Sequence, residues 1–539
     1  MPILNWLNKE EAVTTAKKCT YRLLEEVPEL SYGNKDEENL LIHGDNLEAL
    51  KALIPHYAGK VKCIYVDPPF NTMQAFENYD DNLEHSIWLS LLYPRFELLR
   101  ELLSEDGTMF VHIDDNELGY LTVMLDEIFS RSNRTHIVAF KQGSATGHKA
   151  INPGMVNTCN FILSYAKNKN KWSPKKLFTE RLRDDRYSQF IINIDEPHDK
   201  WETRPLAEVF AEQNGVPKRE LKKKLGDAYE ASITKFVTEN AKSVIRTARP
   251  DYNNVGEDVR KAIDYSKENP GVVHLLKREK HSDMYFNNGE RWIFYKDKLK
   301  DIDGKKVTGE PLTTFWPDLL SNNLHKEGGV SFPKSKKPES LIKRVIELSS
   351  NEGDLVLDSF LGSGTTAAVA HKMKRRYIGI ELGQHAVTHC QPRLKQVVDG
   401  EQDGVSKSVR WQGGGGFRFC KLGEAVFDEY GCLNTDIKFP TLASHLWYLE
   451  TKTPLINKAD TPLLGVHNDT AYYLLYNGIL GDRRPAGGNV LTSKVLNNLP
   501  DIDKHERIVI YGESSRLGEA RLKQANITFK QIPYDVGTL

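Results

Sequence analysis

Short apolar runs that alternate with amphipathic helical patterns constrain the fold of this 539-residue chain more than any other feature. The runs at 40–42, 61–67, 107–114 and 160–167 have the character of strands. Helical stripes begin near Leu47 and cover 86–103 and 116–129, the last with Asn116 as a plausible cap. Strands that alternate with helices favour a parallel, doubly wound sheet. We therefore predict an α/β fold of the Rossmann-like kind.

This alternation stops after Ala166 and resumes after residue 311. Residues 167–186 carry eight Lys or Arg against three Asp or Glu, and polar sequence of low periodicity follows. Helix and strand patterns then return at 340–350, 354–360, 365–373 and 375–382. One sheet is thus predicted to be split by an insertion. The predicted regions are a helical arm (1–38), two parts of a sheet domain (39–167 and 312–399), the insertion (168–311), a Gly-rich linker (400–419) and a small C-terminal α/β domain (420–539).

Composition narrows the class of protein only modestly. Lys plus Arg total 73 and Asp plus Glu total 74, so a nucleic-acid partner would have to use a local basic face. The six cysteines include no CxxC pair, which favours reduced thiols in a cytoplasmic protein and no metal site. The sequence has neither a signal-peptide pattern at its start nor an apolar run long enough for a membrane span. We expect a cytoplasmic protein that does not enter membranes.

Unusual residues follow two of the predicted strands. "VKCIYVDPPF" ends in Asp67-Pro68-Pro69-Phe70, and "VLDSFLGSGTT" ends in a glycine-rich turn that opens a helix. Ligands of open parallel sheets bind outside the carboxyl ends of the strands. Gly362 and Gly364 would allow a tight turn and a close approach of the backbone to such a ligand. Both segments are therefore predicted to form one site.

An acid at the end of the next strand points to a nucleotide-like ligand. Glu381 ends "YIGIE", at about the distance from the glycine-rich turn at which nucleotide-binding folds place a ribose-binding acid. No lysine follows the glycines, which argues against a phosphate-binding P-loop. His112 and Asp114 end another strand at the same edge. We interpret His112 as a packing residue, and Asp114 as either a residue at the rim of the site or a structural one.

The ordered set of motifs resembles one enzyme family. "DPPF" together with "DSFLGSGTT" is similar to the motifs of the S-adenosylmethionine-dependent amino-methyltransferases of DNA. The tetrapeptide precedes the cofactor loop, as in their circularly permuted β class. The resemblance covers about residues 39–419 and includes "GDNLEAL", "FPKSKKPESLIKRVIELSS" and "GGGGFRF". It is nearest to the modification subunits of type III restriction systems.

The resemblance implies that S-adenosyl-L-methionine is the cofactor and gives expected roles to ten residues. Asp45 would lie near the adenine of the cofactor, although an acid in a loop turn is an equal alternative. Lys337 matches a lysine before the cofactor loop, although it is also one of several lysines in "PKSKKPE" that could simply be solvated. The remaining residues would surround the methionine part (Asp358, Phe360, Gly362, Ser363 and Gly364), bind its carboxylate (Thr365 and Thr366) and hold the ribose (Glu381).

The tetrapeptide has a chemical role if an adenine N6 is the acceptor of the methyl group. The lone pair of this nitrogen is delocalised into the ring, which makes it a poor nucleophile. Asp67 can accept one N–H bond and the carbonyl of Pro68, held in direction by Pro69, can accept the other. The base must leave the duplex to reach them. Phe70 would then stack on the extruded base.

The resemblance also implies partners. Double-stranded DNA would be the substrate and the insertion would recognise the target sequence, possible further partners being a second copy of the chain and a helicase-nuclease restriction subunit. The predicted function is therefore site-specific methylation of DNA at adenine N6. Two alternatives stay open: methylation of cytosine N4, and a specificity component with little activity without its partner.

Overall fold

The computed structural model describes residues 3–34, 37–71, 84–143, 154–279, 281–319, 324–330, 332, 336–427, 432–455 and 459–536. The chain divides into two compact units. The first unit combines Met1–Lys175 with Thr314–Leu539, and the second is Lys176–Thr313. The sequence placed the insertion at 168–311, so its boundaries differ from those of the second unit by a few residues.

The first stretch of the chain alternates helices and strands. Its helices are α1 (Lys9–Lys18), α2 (Asn46–Tyr57), α3 (His85–Leu102) and α4 (Leu118–Phe129). Its strands are β1 (Arg22–Glu26), β2 (Tyr32–Gly33), β3 (Leu40–His43), β4 (Val61–Val66), β5 (Leu103–Ile113), β6 (Arg134–Lys141) and β7 (Cys159–Ala166). The side chain of Asn116 does not cap α4, because it donates instead to Asp114.

The second unit is built from short elements. Its strands are β8 (Phe178–Glu180), β9 (Gln189–Ile191), β10 (Thr203–Pro205), β11 (Val244–Ala248), β12 (His274–Leu276), β13 (Met284–Asn287), β14 (Glu290–Phe294), β15 (Leu299–Ile302) and β16 (Lys305–Pro311). Its helices are α5 (Leu206–Gln213), α6 (Leu221–Leu225), α7 (Tyr229–Glu239) and α8 (Glu257–Glu268). One antiparallel sheet has the order β10-β9-β11-β14-β13-β12, and a smaller one has the order β15-β16-β8.

The last stretch completes the first unit. Its helices are α9 (Glu339–Ser349), α10 (Thr365–Lys372), α11 (Gln391–Val398), α12 (Phe439–Thr451), α13 (Ser493–Asn497) and α14 (Glu519–Gln524). Its strands are β17 (Phe315–Trp316), β18 (Leu355–Asp358), β19 (Arg376–Glu381), β20 (Gly416–Ala425), β21 (Leu463–His467), β22 (Thr470–Leu474), β23 (Val490–Leu491), β24 (Arg507–Gly512), β25 (Ser514–Ser515) and β26 (Ile527–Gln531).

The two parts of the first unit share one Rossmann-like sheet. Its order over the described residues is β1-β20-β3-β19-β18-β4-β5-β7-β6-β17, with β2 also paired to β20. The late strands β18 and β19 thus lie between the early strands β3 and β4, and all four are parallel. The predicted α/β fold with a permuted order is confirmed.

The sheet is mixed, whereas the sequence predicted a parallel one. Strand β7 runs antiparallel to both of its neighbours, β5 and β6. The sequence analysis missed β6, in which polar and apolar residues follow each other without a clear period. No helix is assigned between β6 and β7 in the described residues, and directly connected neighbouring strands pair antiparallel.

Two of the predicted regions need correction. Residues 1–38 are not simply a helical arm, because after α1 the strands β1 and β2 join the sheet through β20. Residues 400–419 are not a linker either. Gly416–Ala425 is a sheet strand beside β3, and the carbonyl of Gly414 accepts a bond of 2.9 Å from His371. Glycine is needed here because Gly33 and Gly416 approach each other too closely for a side chain.

Apolar residues of the central strands are buried on both faces of the sheet. Ile64 and Val66 join a cluster with residues of α2, α3 and α4, while Cys63 and Tyr65, which alternate with them, point to the opposite face. Ser349 of α9 lies beside Cys63 on that face. This explains why the predicted strands are nearly continuous apolar runs.

The C-terminal part packs directly on this sheet domain. Its four-stranded sheet has the order β21-β22-β24-β26. Leu442 and Leu446 of α12 share an apolar cluster with Tyr21 and with Ala52 of α2. In the described residues, no helix is both long and apolar enough to cross a membrane.

Candidate functional site

Three acids meet at the carboxyl ends of adjacent strands. Asp67 follows β4, Asp358 ends β18 and Glu381 ends β19, and these strands are neighbours in the sheet. Burial above all, together with the charges of Asp67 and Glu381, raises the pKa of Asp358 to about 7, although hydrogen bonds from Thr366 and Phe360 act in the opposite direction. Asp358 is therefore close enough to Asp67 and Glu381 for their charges to interact, although Asp67 is nearly 300 residues from it in the sequence.

Asp67 is paired with a lysine that the sequence did not assign to it. Lys337 Nζ is 2.7 Å from Asp67 Oδ2 and 4.9 Å from the centroid of the Phe70 ring. Only 12% of the lysine side chain and 19% of the aspartate side chain are exposed. Lys337 is therefore part of the Asp67–Phe70 tetrapeptide site and is not a solvated surface lysine.

His112 packs against the Asp67–Phe70 tetrapeptide. Its side chain is fully buried, with Nδ1 at 2.8 Å from the Tyr65 hydroxyl and Nε2 at 3.1 Å from Asn160 Nδ2. Burial, assisted by the charge of Lys337, lowers the pKa of His112 well below its usual value. The neutral ring packs against Phe70 at 5.3 Å between centroids. His112 is thus a packing residue, as the sequence analysis interpreted it, and its Nδ1 is also 3.7 Å from Asp67 Oδ1.

Two further residues fix the tetrapeptide. The indole of the buried Trp88 donates a 2.8 Å hydrogen bond to the carbonyl of Pro69. Asn71, with a φ of 59°, donates a 2.7 Å bond to the buried carboxylate of Glu117. The sequence analysis named neither Trp88 nor Glu117, since each is remote in sequence and has no motif. Hydrogen bonds thus fix both the carbonyl of Pro69 and the side chain of Asn71.

The glycine-rich turn is anchored by Glu381. Its Oε2 accepts a 2.7 Å bond from the backbone N–H of Gly362, and its Oε1 accepts a 3.1 Å bond from that of Gly383. Gly364 has a φ of +81°, and a Cβ there would meet the backbone of Cys390 at 3.3 Å. Burial raises the pKa of Glu381. The turn therefore needs glycine and takes its position from the acid on the next strand.

Inside the turn, Asp358 organises the start of α10. Its Oδ1 accepts a 2.9 Å bond from the N–H of Phe360, and its Oδ2 accepts a 2.6 Å bond from the Thr366 hydroxyl. The Thr365 hydroxyl accepts a 2.8 Å bond from Arg393. Both hydroxyls thus point to partners within the protein, and the backbone N–H groups at the helix start are left as the groups suited to a carboxylate.

A buried charge network lies behind the turn. Arg393 donates to the carbonyl of Ser363 at 3.2 Å and to Glu339 at 2.8 Å. Lys372 donates to the same Glu339 at 2.8 Å, and all three charged side chains are buried. Removing one member would leave an unpaired buried charge, which is strongly destabilising. The network fixes the glycine-rich turn, and charged residues inside otherwise apolar helical stripes were the signal that could have revealed it.

Asp45 follows β3, and its neighbours Gly44 and Asn46 donate to the carbonyls of Glu381 and Ser359 at 3.0 and 2.8 Å. Its Oδ1 caps α2 by accepting a 2.8 Å bond from the N–H of Leu47, and its Oδ2 is 3.1 Å from Arg95. Asp45 thus has a structural role as a helix cap, and the expectation that it also lies near the adenine of the cofactor stays a prediction. The described residues contain no cluster of three or more His, Cys, Asp or Glu side chains arranged to hold a metal ion.

The sheet order is that of a Rossmann-like α/β fold, with acids at the carboxyl ends of three adjacent strands. Residues 61–391, which span both the tetrapeptide and the glycine-rich turn, match the N6_N4_Mtase family, described as DNA methylase. This chain belongs to that DNA methylase family.

Two curated relatives add detail. The "Probable type III restriction-modification enzyme HindVI Mod subunit" of Haemophilus influenzae is 36% identical over 420 residues, which are 73% of this chain and 54% of that protein. The "Type III restriction-modification enzyme EcoPI Mod subunit" of Escherichia phage P1 is 29% identical over 420 residues, 68% of this chain and 60% of that protein. The chain thus spans little more than half the length of these relatives.

A solved structure, the M1.HpyAVI–SAM complex, is 15% identical and covers 66% of this chain and 98% of its own. Its TM-score of 0.31 is too low to support any argument beyond that.

Proposed function

We propose that this chain is a DNA methyltransferase that uses S-adenosyl-L-methionine to methylate adenine at N6. The observation that carries the proposal is the convergence of Asp67 and its tetrapeptide with Asp358 and Glu381 at one sheet edge. One set of residues there suits an amino group, and the other suits a nucleoside. Membership of the DNA methylase family and the likeness to Mod subunits support the same function.

The tetrapeptide side of the site suits an exocyclic amino group. The Asp67 carboxylate and the Pro68 carbonyl are acceptors that can take the two N–H bonds of such a group. Trp88 already occupies the carbonyl of Pro69 and keeps the backbone from turning. A fixed pair of acceptors orients the nitrogen lone pair, and orientation of this kind can lower a barrier by several kcal/mol. Phe70 offers a ring for stacking, worth about 1–3 kcal/mol per base.

Lys337 stabilises the charged form of the acceptor Asp67. Its ammonium, at 2.7 Å from Asp67 Oδ2, balances the charge of a carboxylate that is mostly buried. An ammonium donates hydrogen bonds, as an amino group does, so Lys337 stands where a base amino group would bind Asp67. An entering base must therefore share the carboxylate with Lys337 or move the lysine aside.

The other side of the site suits a nucleoside with a charged tail. Each carboxylate oxygen of Glu381 accepts one backbone N–H and has a further lone pair for a ribose hydroxyl. The backbone N–H groups at the start of α10 suit a carboxylate, and Phe360 and the backbone of Gly362 and Ser363 border the same turn. These residues fit S-adenosyl-L-methionine, which when bound supplies a methyl group on a positively charged sulfur.

Cytosine N4 is the second candidate acceptor. Its amino group would use the same two acceptors, and the family name covers both bases. We favour adenine because Asp, and not Ser, occupies position 67, and because the relatives are Mod subunits.

We further propose that the chain serves a type III restriction-modification system in the cytoplasm, with double-stranded DNA as substrate. The unit Lys176–Thr313 would recognise the target sequence, and the C-terminal part would serve association with a second copy or with a restriction subunit. Without that partner the chain could act chiefly as a specificity component. The relatives named as Mod subunits motivate these proposals.

Sequencing that detects modified bases, on the DNA of a host that expresses the chain, tests the function. The expected result is N6-methyladenine at one short motif, and its absence from a host that expresses Asp67→Ala. Modified cytosine at a motif would instead select the second candidate, and unmodified DNA despite expression of folded protein would contradict both.

A further inference from the structure

Two arginines on the main sheet of the second unit have no role in the site described above. Arg246 lies on β11 and Arg291 on β14, which are antiparallel neighbours. Arg246 is opposite Ile293, and Arg291 is opposite Ala248. Paired residues share a face and successive residues alternate, so both arginines project from the same face at diagonal positions. Long side chains at such positions are within reach of each other.

This face separates two apolar clusters of the second unit. On one side Val244 and Ile293 join the cluster formed with α5 and α7. On the other side Phe286, opposite Arg291 on β13, joins the cluster formed with α8. Arg246 and Arg291 lie between these clusters and are half-buried. Part of each side chain is thus covered by packing, and part stays exposed.

The Nε atoms of the guanidinium groups of Arg246 and Arg291 are buried and lack a hydrogen-bond partner in the protein. Across the described part of the chain, neither arginine forms an ion pair with a carboxylate. Arg246 instead lies over the ring of Tyr187, with 5.6 Å between the guanidinium carbon and the ring centroid. Buried donors are normally satisfied, so two unsatisfied ones on adjacent strands call for a ligand.

The charges around Arg291 also favour the binding of a ligand at this face. Burial lowers its pKa most, and the positive charges of Arg278 and Arg246 lower it further. Asp297 and Tyr187 act in the opposite direction. Cations that repel one another favour a ligand that carries negative charge over a neutral one.

Several other arginines of this unit pair with carboxylates. Three of them form close ion pairs within the unit, namely Arg186 with Asp184 at 2.7 Å, Arg204 with Glu212 at 2.5 Å and Arg249 with Glu290 at 3.0 Å. Two further arginines, Arg260 and Arg278, donate to backbone carbonyls instead, so Arg246 and Arg291 differ from these five in having a buried Nε without a partner.

We propose that the face formed by Arg246 and Arg291, here called the arginine face, binds a phosphate group of the DNA backbone. This proposal rests on the proposed function, since it gives the DNA substrate a contact on this chain. Guanidinium groups bind phosphate oxygens through paired N–H donors, and phosphate contacts position a duplex without reading its sequence. The negative charge of the phosphate would also relieve the repulsion between the arginines.

The salt dependence of DNA binding tests the arginine face. The full chain would be titrated with a labelled duplex of mixed sequence between about 50 and 200 mM salt, where each phosphate contact adds about 0.9 to the slope of log K against log salt. The double variant Arg246→Gln, Arg291→Gln is expected to lower the slope by about one, because the arginine face is proposed to bind one phosphate group. The control is Arg249→Gln, which removes one positive charge by the same substitution from an exposed arginine already paired with Glu290.

A charge-retaining variant separates loss of charge from loss of fold. Arg246→Lys, Arg291→Lys should bind more weakly than the wild type and keep its slope, because lysine still neutralises phosphate. A wild-type slope in the Gln double variant overturns the proposal. So does a lysine double variant that loses the slope together with the Gln variant, because the effect would then come from misfolding.

Failure of this proposal is distinguishable from failure of the proposed function. The Gln double variant should bind S-adenosyl-L-methionine as the wild type does, since both substitutions lie in the second unit. A wild-type chain that methylates DNA while the Gln double variant keeps the wild-type slope overturns the arginine face alone. A wild-type chain that binds the duplex with the predicted slope and transfers no methyl group overturns the function alone.

Discussion

The acids at the sheet edge of the first unit and the arginines on the sheet of the second unit are held in opposite ways. Asp67, Asp358 and Glu381 each have close donors within the protein, at 2.6 to 3.1 Å. Arg246 and Arg291 have buried Nε atoms with no partner. A site that performs chemistry must hold its groups in position before the substrate arrives. A surface that binds a partner can keep hydrogen-bond donors without a protein acceptor until that partner binds.

Substitution of Asp67 should separate the two regions most completely. Asp67→Ala removes an acceptor for the amino group and leaves Lys337 without its carboxylate. We expect methyl transfer to fall by on the order of a hundred- to a thousand-fold, comparable with the loss of one group that stabilises a transition state. The slope of DNA binding against salt should stay at the wild-type value. Asp106→Ala, at an exposed carboxylate paired with Lys62, is the control for turnover.

Phe70 tests whether the site holds a flat ring system. Phe70→Ala should lower turnover by roughly ten- to a hundred-fold, because base stacking is worth about 1–3 kcal/mol. Phe70→Tyr keeps the ring and should stay near the wild type. Initial rates with duplex substrate would show this, and equal losses in both variants would mean that Phe70 serves mainly to pack against His112.

Lys337 tests how the acceptor is maintained. Lys337→Met keeps the length of the side chain and removes the ammonium from Asp67. We expect a fall in turnover of about tenfold, which corresponds to about 1.4 kcal/mol. The comparison variant Lys374→Met changes an exposed lysine on the same unit. Unchanged turnover in Lys337→Met would remove the lysine from the account of the tetrapeptide.

The raised pKa of Asp358 predicts a smaller effect on stability. Its value of about 7 in the folded protein lies above the usual value of 3.8, so the folded state binds the proton more tightly. Stability from this group is full below the usual value and is lost as the pH rises toward 7. The stability of the wild type relative to Asp358→Asn should therefore fall between about pH 4 and 7, by on the order of a few kcal/mol at most. If the melting temperatures of the two proteins differ by the same amount at every pH in this range, the raised pKa is contradicted.

The strand ends could be predicted because their chemistry requires particular residue types at a particular place. Asp67-Pro68-Pro69-Phe70 follows a continuous apolar strand, and Gly364 occupies a φ of +81° that strongly favours glycine. Short motifs of this kind are visible in one sequence. The sheet order then brings residues nearly 300 positions apart, such as Asp67 and Asp358, to one edge.

Residues that act through packing or pairing could not be predicted in the same way. Lys337 is one of three lysines in "PKSKKPE", and only the fold shows that it reaches Asp67. Trp88 reaches Pro69 from a helix that the sequence predicted without a functional role. Arg246 and Arg291 become neighbours through a strand register that the sequence does not reveal. Gly416 was mistaken for part of a linker because glycine also permits close approach of two strands.

The central claim is that the edge defined by Asp67, Asp358 and Glu381 methylates adenine in DNA. The most direct measurement is transfer of a labelled methyl group from S-adenosyl-L-methionine to duplex DNA by the purified chain, followed by digestion to nucleosides. The account predicts label in N6-methyl-2′-deoxyadenosine with the wild type, and on the order of a hundred- to a thousand-fold less with Asp67→Ala. Label in N4-methyl-2′-deoxycytidine, or as much label with Asp67→Ala as with the wild type, would contradict it.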